Sequence, residues 1–534
     1  MKEALIMGND YDAIVIGAGQ NGLTTAAYLA KAGLEVAVLE QQPWIGGSTI
    51  TKELTLPGFK HDVCSTGITF AMGNPAITQD ELDLKSKYGL DIIGVPDPDT
   101  VGVYDDGTVF PIYNDIDKTC DAIAQFSEHD AKAYREFYEY VQPMVPMLQA
   151  GMFNAPPRMG MLFNQLDQTP LGQEFMKVMF MSAWDLIKQR FTHPKTMILL
   201  LSYPAEAMVD PEEGGSALYV LSMVAVIHSP GKVTAYGRGG IQNLTNSLVR
   251  SIEDHGGVVL TEQEVVEIKT TNGRATSVIC ANGEEYSARK VIVSNVDPRL
   301  TLNKWLDVPL EGGLNGKIDR IVNPAFVGEM VHLALDKEPE FIGGGKANSG
   351  VMLQLLPTSL EDFRQSFVDI RLGKVPYPVR MLAVFPHRVD PSRAPEGKGV
   401  AYLWEFVPYS IANGGAKKWD EVREEVAAGI IKRFLQFTTN FSEKDIIGKC
   451  ILSPLDYERQ NQNMVNGQVL GPGPGLYQYM SFRPTPELGQ YRTPITGLYL
   501  SGQSTHPGGG VTLGGRATAQ VIMQDIGIDF DDLF

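Results

Sequence analysis

A chain of 534 residues, 43% hydrophobic and 20% charged, is long enough for roughly two to four folding units and has the composition of a globular protein. Forty-five basic residues against 63 acidic ones leave a net charge of −18, which aids solubility and argues against nucleic acid or a polybasic membrane anchor as partner. The acids are dispersed along the chain, so they read as solvated faces and no metal site is expected.

Four cysteines, Cys64, Cys120, Cys280 and Cys450, lie far apart and form no CxxC pair. Neither a disulfide framework nor a zinc site is expected, and a reducing cytoplasm is the expected compartment. The opening MKEALIMGND carries no apolar signal-peptide core. The longest apolar run, ALYVLSMVAVI at 217–227, falls short of the roughly 20 residues of a spanning helix. It reads as a buried helix or a pocket wall.

In chain order the first signal is DAIVI at 12–16, a β-branched run expected of a strand buried on both faces. GAGQNG follows and places Gly17, Gly19 and Gly22 in GxGxxG spacing. Next come a helical stretch, LTTAAYLAKAG, closed by Gly33, and a second strand, EVAVLE, ending in Glu40. Gly17 permits the tight strand-to-helix turn, Gly19 lets a pyrophosphate approach the backbone, and Gly22 lets helix and strand pack closely. Ala18 and Asn21 lie in the same turn, where a helix N-terminus offers unpaired N–H groups to phosphate. Glu40 stands about 20 residues on, the distance at which an acid accepts hydrogen bonds from a ribose. Which dinucleotide binds is left open by these residues alone.

After Glu40 and Gln41 the chain carries a Gly46–Gly47 doublet and then PGFKHD. GAGQNGL, the acid, the doublet and PGF..D together resemble flavoprotein oxidoreductases of the phytoene desaturase class, most closely their phytoene dehydrogenase-like branch, relatives of the monoamine oxidase superfamily. That resemblance implies FAD as cofactor. One departure is Ser48, which stands where many members have Arg, so a phosphate contact there would come from a hydroxyl.

Beyond residue 75 the pattern changes. VGVYDDGTVFPIY alternates about an Asp106–Gly107 hairpin signal, and DAKAYREFYEYVQPMVPML reads as an amphipathic helix. From 170 to 228 come apolar helical stretches with Met176, Met179, Met181, Met197, Met208 and Met223, read as core packing that also suits a deformable substrate wall. At GRGGIQNLTNSLVRSIEDHGG a helix resumes, leading into VVLTEQEVVEI as one strand, hairpins at Asn272–Gly273 and Asn282–Gly283, and the strand KVIVSN. The resemblance implies that this block returns to the FAD domain with the Val265 backbone beside the adenine. Residues 301–469 depart again, and PHRVDPSRAPEGKGVAYLWEFVPY points to an antiparallel sheet.

Near the end, GLYLSGQSTHPGGGVTLGG repeats the order strand, glycine turn, helix, with the helix expected from about Val511. The resemblance implies a second jaw of the cofactor clamp: Gly502 passes the ribityl-phosphate region, and the Gly510 and Val511 N–H groups face the flavin ring. A helix N-terminus there would stabilise reduced, anionic flavin by about 0.3–1 kcal/mol. His506 is either a hydrogen-bonded turn residue or a proton carrier over the flavin, and Arg483 either a structural donor or a holder of a polar or anionic substrate. Tyr409 and Glu405 are further candidates.

The expected architecture is α/β: a Rossmann-type FAD-binding domain, discontinuous over 10–75, 235–300 and 470–534, plus a mixed α+β substrate domain over 76–234 and 301–469. The expected activity is FAD-dependent desaturation of a C–C bond of an apolar or alicyclic substrate, a carotenoid-like polyene or a cyclic ketone or carboxylate, by hydride transfer to flavin. Oxygen or a quinone is left open as electron acceptor, as is contact of a greasy tunnel mouth with a bilayer. Amine oxidation, redox-neutral isomerisation and a non-catalytic FAD-binding role are the alternatives.

Overall fold

Strand Asp10–Ile16 is the centre of a seven-stranded sheet, because Ala13–Ile16 are apolar on both faces and both faces are covered. The computed structural model describes residues 8–98, 100–229, 234–324, 326–377 and 379–534. Residues 1–7 of the opening segment lie outside the described residues.

Asp10–Ile16 pairs in parallel with Val36–Leu39 on one side and with Glu285–Ser294 on the other. Val258–Leu260 adds beyond Val36–Leu39, and Leu498–Leu500 runs parallel to the last residues of Glu285–Ser294. Three separate stretches of chain therefore build one sheet. Helices Gln20–Lys31, Gln242–Asp254 and Gly515–Ile526 pack on one face through Leu23, Ala27, Leu244, Leu248, Ala519 and Ile522. The meander Val265–Thr271, Arg274–Cys280 extends the sheet beyond Glu285–Ser294 and packs with Ile14, Ile16 and Leu39 in the cluster of the other face. Its turn is at Asn272–Gly273, where both φ values are positive.

The stretch expected to be one strand, VVLTEQEVVEI, is two. Val258–Leu260 and Val265–Thr271 belong to opposite edges of the sheet. The break falls where the Glu262 and Gln263 N–H groups turn to the Gln42 and Glu40 carbonyls instead of a neighbouring strand.

A second seven-stranded sheet runs Ile446–Leu452, Val327–Leu335, Gly399–Val407, Met381–Val384, Met352–Leu356, Thr100–Tyr104, Val109–Ile112. It is antiparallel except where Met352–Leu356 meets Thr100–Tyr104, and the hairpin turns at Asp106–Gly107 as expected. Alternation gives its strands two uses. Val331, Leu333 and Leu403 pack under helix Trp419–Gln436, while Met330, Tyr402 and Trp404 face a cavity. Helices from Ile116–Ala124 to Ala217–Ile227 form an apolar layer, in which Met179, Met197 and Met208 are buried and Met176, Met181 and Met223 pack against its core. No helix of the described residues is long and apolar enough to cross a membrane.

Candidate functional site

The first glycine corner is built by competition for space. Gly17 has φ +93°, which an L side chain rarely adopts. Gly22 has no room for a Cβ, which would strike the Gly17 carbonyl. Gly19 is the helix N-cap with ordinary extended φ and ψ, yet a Cβ there would lie 2.8 Å from Asn295 Nδ2. Since Gly19 has no side chain to cap the helix, the first-turn N–H groups of Gln20–Lys31 stay open beside the cavity wall. Positive dipole and free donors there suit phosphate.

Glu40 ends its strand and is buried. Its carboxylate accepts the Ala18 N–H at 2.8 Å and the Gln42 N–H at 3.0 Å. Burial raises its pKa above the ordinary carboxylate value, and these N–H bonds oppose the rise. Each oxygen keeps a lone pair for a further donor such as a ribose hydroxyl. The Gly46 N–H donates to the Ala18 carbonyl, so the doublet lies against the corner.

The second corner does not start its helix at Val511. Leu513 has φ +54°, and the helix is Gly515–Ile526. The cause lies some 490 residues away in sequence: Gln20 Nε2 donates to the Gly510 carbonyl at 3.1 Å, and the Leu513 N–H donates to Gln20 Oε1 at 3.0 Å. These bonds hold residues 510–513 in an irregular, non-helical path across the start of the first helix. Thr25 Oγ1 also donates to the Gly515 carbonyl at 3.1 Å. The two corners are in direct contact.

Between them runs a cavity of about 510 Å³. Gly17, Gly19, Asn21, Glu40, Gln41, Gly46, Gly47, Ser48, Val265, Gly510 and Val511 line it, together with Arg483 and His506. Ala18, Gly22 and Gly502 do not; they shape the walls from behind. Gly502 has φ +93° and would place a Cβ 2.5 Å from Asn295 Oδ1. Among the described residues, buried polar atoms on the wall without a protein partner include Asn21 Oδ1, Asn463 Oδ1, His506 Nδ1 and Thr512 Oγ1. Unmet hydrogen-bonding capacity in the residues around one cavity suits a polar ligand. A long cavity with phosphate donors at one end, an acid behind them and apolar walls at the other fits FAD.

His506 is 4% exposed and its Nε2 is hydrogen-bonded to the Gly151 carbonyl. That bond requires the proton on Nε2. Burial lowers its pKa to about 4, and Arg483 adds to the effect. The ring is therefore neutral near pH 7, anchored as a turn residue whose Nδ1 is buried without a hydrogen-bond partner among the described residues. Arg483 is equally buried and donates to the Gln503 and Gly473 carbonyls.

Glu405 and Tyr409 are not at the cavity. Glu405 follows Trp404 on a strand and so faces the opposite side of the sheet, where its Oε1 accepts the Phe406 N–H at 2.8 Å. Tyr409 donates its hydroxyl to Glu458. Sequence reasoning missed Gln20 and Asn295. Asn295 stands at the carboxyl end of Glu285–Ser294 between Gly17, Gly19, Gly22 and Gly502. Its signal was present in SNVDP, at the strand end where open α/β sheets bind ligands. Among the described residues no group of three or more His, Cys, Asp or Glu side chains could hold a metal.

Comparison with known proteins agrees with this geometry. The family model described as flavin containing amine oxidoreductase matches residues 22–304. The chain is 28% identical to pyridine nucleotide-disulfide oxidoreductase domain-containing protein 2 of Rattus norvegicus, covering 97% of this chain and 94% of that one. It is 27% identical to one of the polypeptides of the limonene dehydrogenase of Castellaniella defragrans, covering 97% and 95%. It is 25% identical to the neurosporene-forming phytoene desaturase of Rhodobacter capsulatus, covering 96% and 93%. The solved structure of an oxidoreductase from Methanosarcina mazei shares the fold, with a TM-score of 0.61 at 18% identity over 96% of this chain and 99% of that one.

Proposed function

Because this chain belongs to the flavin containing amine oxidoreductase family, we propose that it removes hydrogen across a C–C bond of an apolar or alicyclic substrate. The chain is a flavin-dependent oxidoreductase of phytoene desaturase-like kind, and its cofactor is FAD. When bound, FAD supplies the hydride acceptor. In this reading residues 10–75, 235–300 and 470–534 hold the cofactor, and 76–234 with 301–469 hold the substrate.

The observation that carries the reading is the chemistry of the cavity wall beyond the Gly508–Val511 corner. Leu148, Leu218, Met223, Val226, Met330 and Met352 line it, which excludes water and positions an apolar body. Methionine lets that wall adapt to the shape of its ligand. The relatives named for limonene and phytoene point to the same class of substrate. Amine oxidation fits less well. The buried Arg483 guanidinium on the same wall would repel an ammonium, a repulsion strengthened by low dielectric.

The test is anaerobic mixing of the purified yellow protein with a cyclic ketone, a monoterpene, a carotenoid precursor and a primary amine. The ketone, terpene or polyene is expected to bleach the oxidised-flavin spectrum, and the product is expected to have lost two hydrogens. Bleaching by the amine alone would overturn the reading.

A further inference from the structure

Four arginines of the described residues are buried deeply: Arg380, Arg393, Arg483 and Arg516. Three have a carboxylate. Arg393 pairs with Asp62 at 2.6 Å, Arg516 is gripped by both oxygens of Glu81 at 2.7 Å, and Arg380 has Glu206 at 3.7 Å. Arg483 has none. Its contacts are Nε and Nη2 to the Gln503 carbonyl, at 3.3 and 2.7 Å, and Nη1 to the Gly473 carbonyl at 3.3 Å.

A guanidinium carries five N–H donors, and three contacts leave two unspent. Backbone carbonyls solvate a cation but do not neutralise it, and a buried, uncompensated charge is among the costliest things a fold can keep. The surroundings keep it accessible from the cavity. Gly508 carries no side chain, and a Cβ there would lie 3.3 Å from Arg483 Cζ and Nε. Tyr219 of helix Ala217–Ile227 lines the same cavity as Arg483, and its neighbours Leu218 and Met223 form the apolar wall.

We propose that Arg483 binds the carboxylate of the substrate, whose apolar body lies against helix Ala217–Ile227. This rests on the reading of the cavity as a site for apolar or alicyclic substrates, and narrows it to those bearing an acidic group. The fork matches a carboxylate in two parallel hydrogen bonds. The substrate is then an amphipathic acid, oriented charge-first at Arg483, rather than a pure hydrocarbon.

The experiment uses the FAD-loaded protein and reads perturbation of the oxidised-flavin spectrum. Two matched pairs are titrated: cyclohexanecarboxylate against cyclohexanecarboxamide, and sorbate against sorbamide. Each pair keeps its body and changes only the charge. The wild type is expected to bind each carboxylate about tenfold or more tighter than its amide, the scale of one charge-assisted pair. Arg483→Met is expected to abolish that preference. Should Arg483→Met lose its flavin, Arg483→Lys serves, keeping the charge without the fork and reducing the preference without removing it. Equal affinity within both pairs, no response to either carboxylate, or a preference unchanged by substitution would overturn the proposal. So would a variant that alters only the affinity of the flavin for sulfite, because the cation would then serve the cofactor. The titration reads binding, so it gives its answer whether or not a ketone or polyene reduces the flavin.

Discussion

Gly17, Gly19 and Gly22 share one motif spacing but are glycine for different physical reasons. Gly17 needs its positive φ, whereas Gly19 and Gly22 need the absence of a side chain. Gly19→Val therefore adds no backbone strain. It drives a branched side chain into Asn295 Nδ2 and over the helix N-terminus that would receive phosphate. Retention of FAD is expected to fall by about 100-fold or more, equal to about 3 kcal/mol, with the circular dichroism of the fold preserved. Absorbance of protein-bound flavin after gel filtration measures it, and a variant as yellow as the wild type would remove the phosphate turn from the site. Two of these roles are legible in the motif, because Gly17 needs only its own backbone φ and the nearest obstacle to a Gly22 side chain is the Gly17 carbonyl. The partner of Gly19 is not, since Asn295 is supplied by a strand more than 270 residues later.

At the scale of elements, the last glycine corner is shaped by the first helix. Gln20 supplies both a donor and an acceptor to residues 510–513. Gln20→Ala removes two hydrogen bonds, one buried and one part-buried, each worth about 1 kcal/mol. FAD affinity is expected to drop by about 30-fold through a loosened second jaw, a change that fluorescence titration of the apoprotein would show. Unchanged affinity would mean that the loop holds its shape without Gln20. The same contact explains why the terminal helix starts at Gly515 rather than Val511. A glycine-rich run has little helix propensity of its own, so a tertiary hydrogen bond decides where the helix begins. Likewise the run 258–268 has one uninterrupted β pattern, but the carbonyls of Glu40 and Gln42 capture its middle and divide it.

For the whole molecule, buried titratable groups set opposing dependences on pH. Burial lowers His332 and His506 to about 4 from the ordinary histidine value of 6.5. Both bind protons more readily in the unfolded chain, so their contribution is complete above pH 6.5 and is lost as pH falls toward 4. Glu405 runs the other way: burial raises it to about 8, so its contribution is complete below its ordinary 4.5 and is lost as pH rises through 8. Stability is thus expected to fall from pH 6.5 to 4, with up to about 3 kcal/mol from each ring. Thermal unfolding followed by circular dichroism would show it, and His332→Phe is expected to flatten the acid limb. An acid limb identical in the variant would place the loss elsewhere.

The family and the FAD followed from a resemblance to flavoproteins of the phytoene desaturase class, and the amino-acid sequence by itself determined the two strand–glycine–helix corners. Those signals lie within runs of about 30 residues, where spacing and residue type suffice. Tertiary structure alone decided which face Glu405 and Trp404 take, which residue fills the space between Gly19 and Gly502, and that Arg483 among the buried arginines lacks an acid. Each depends on what a distant part of the chain brings alongside, and burial without a partner is a property of the packed molecule rather than of any local pattern.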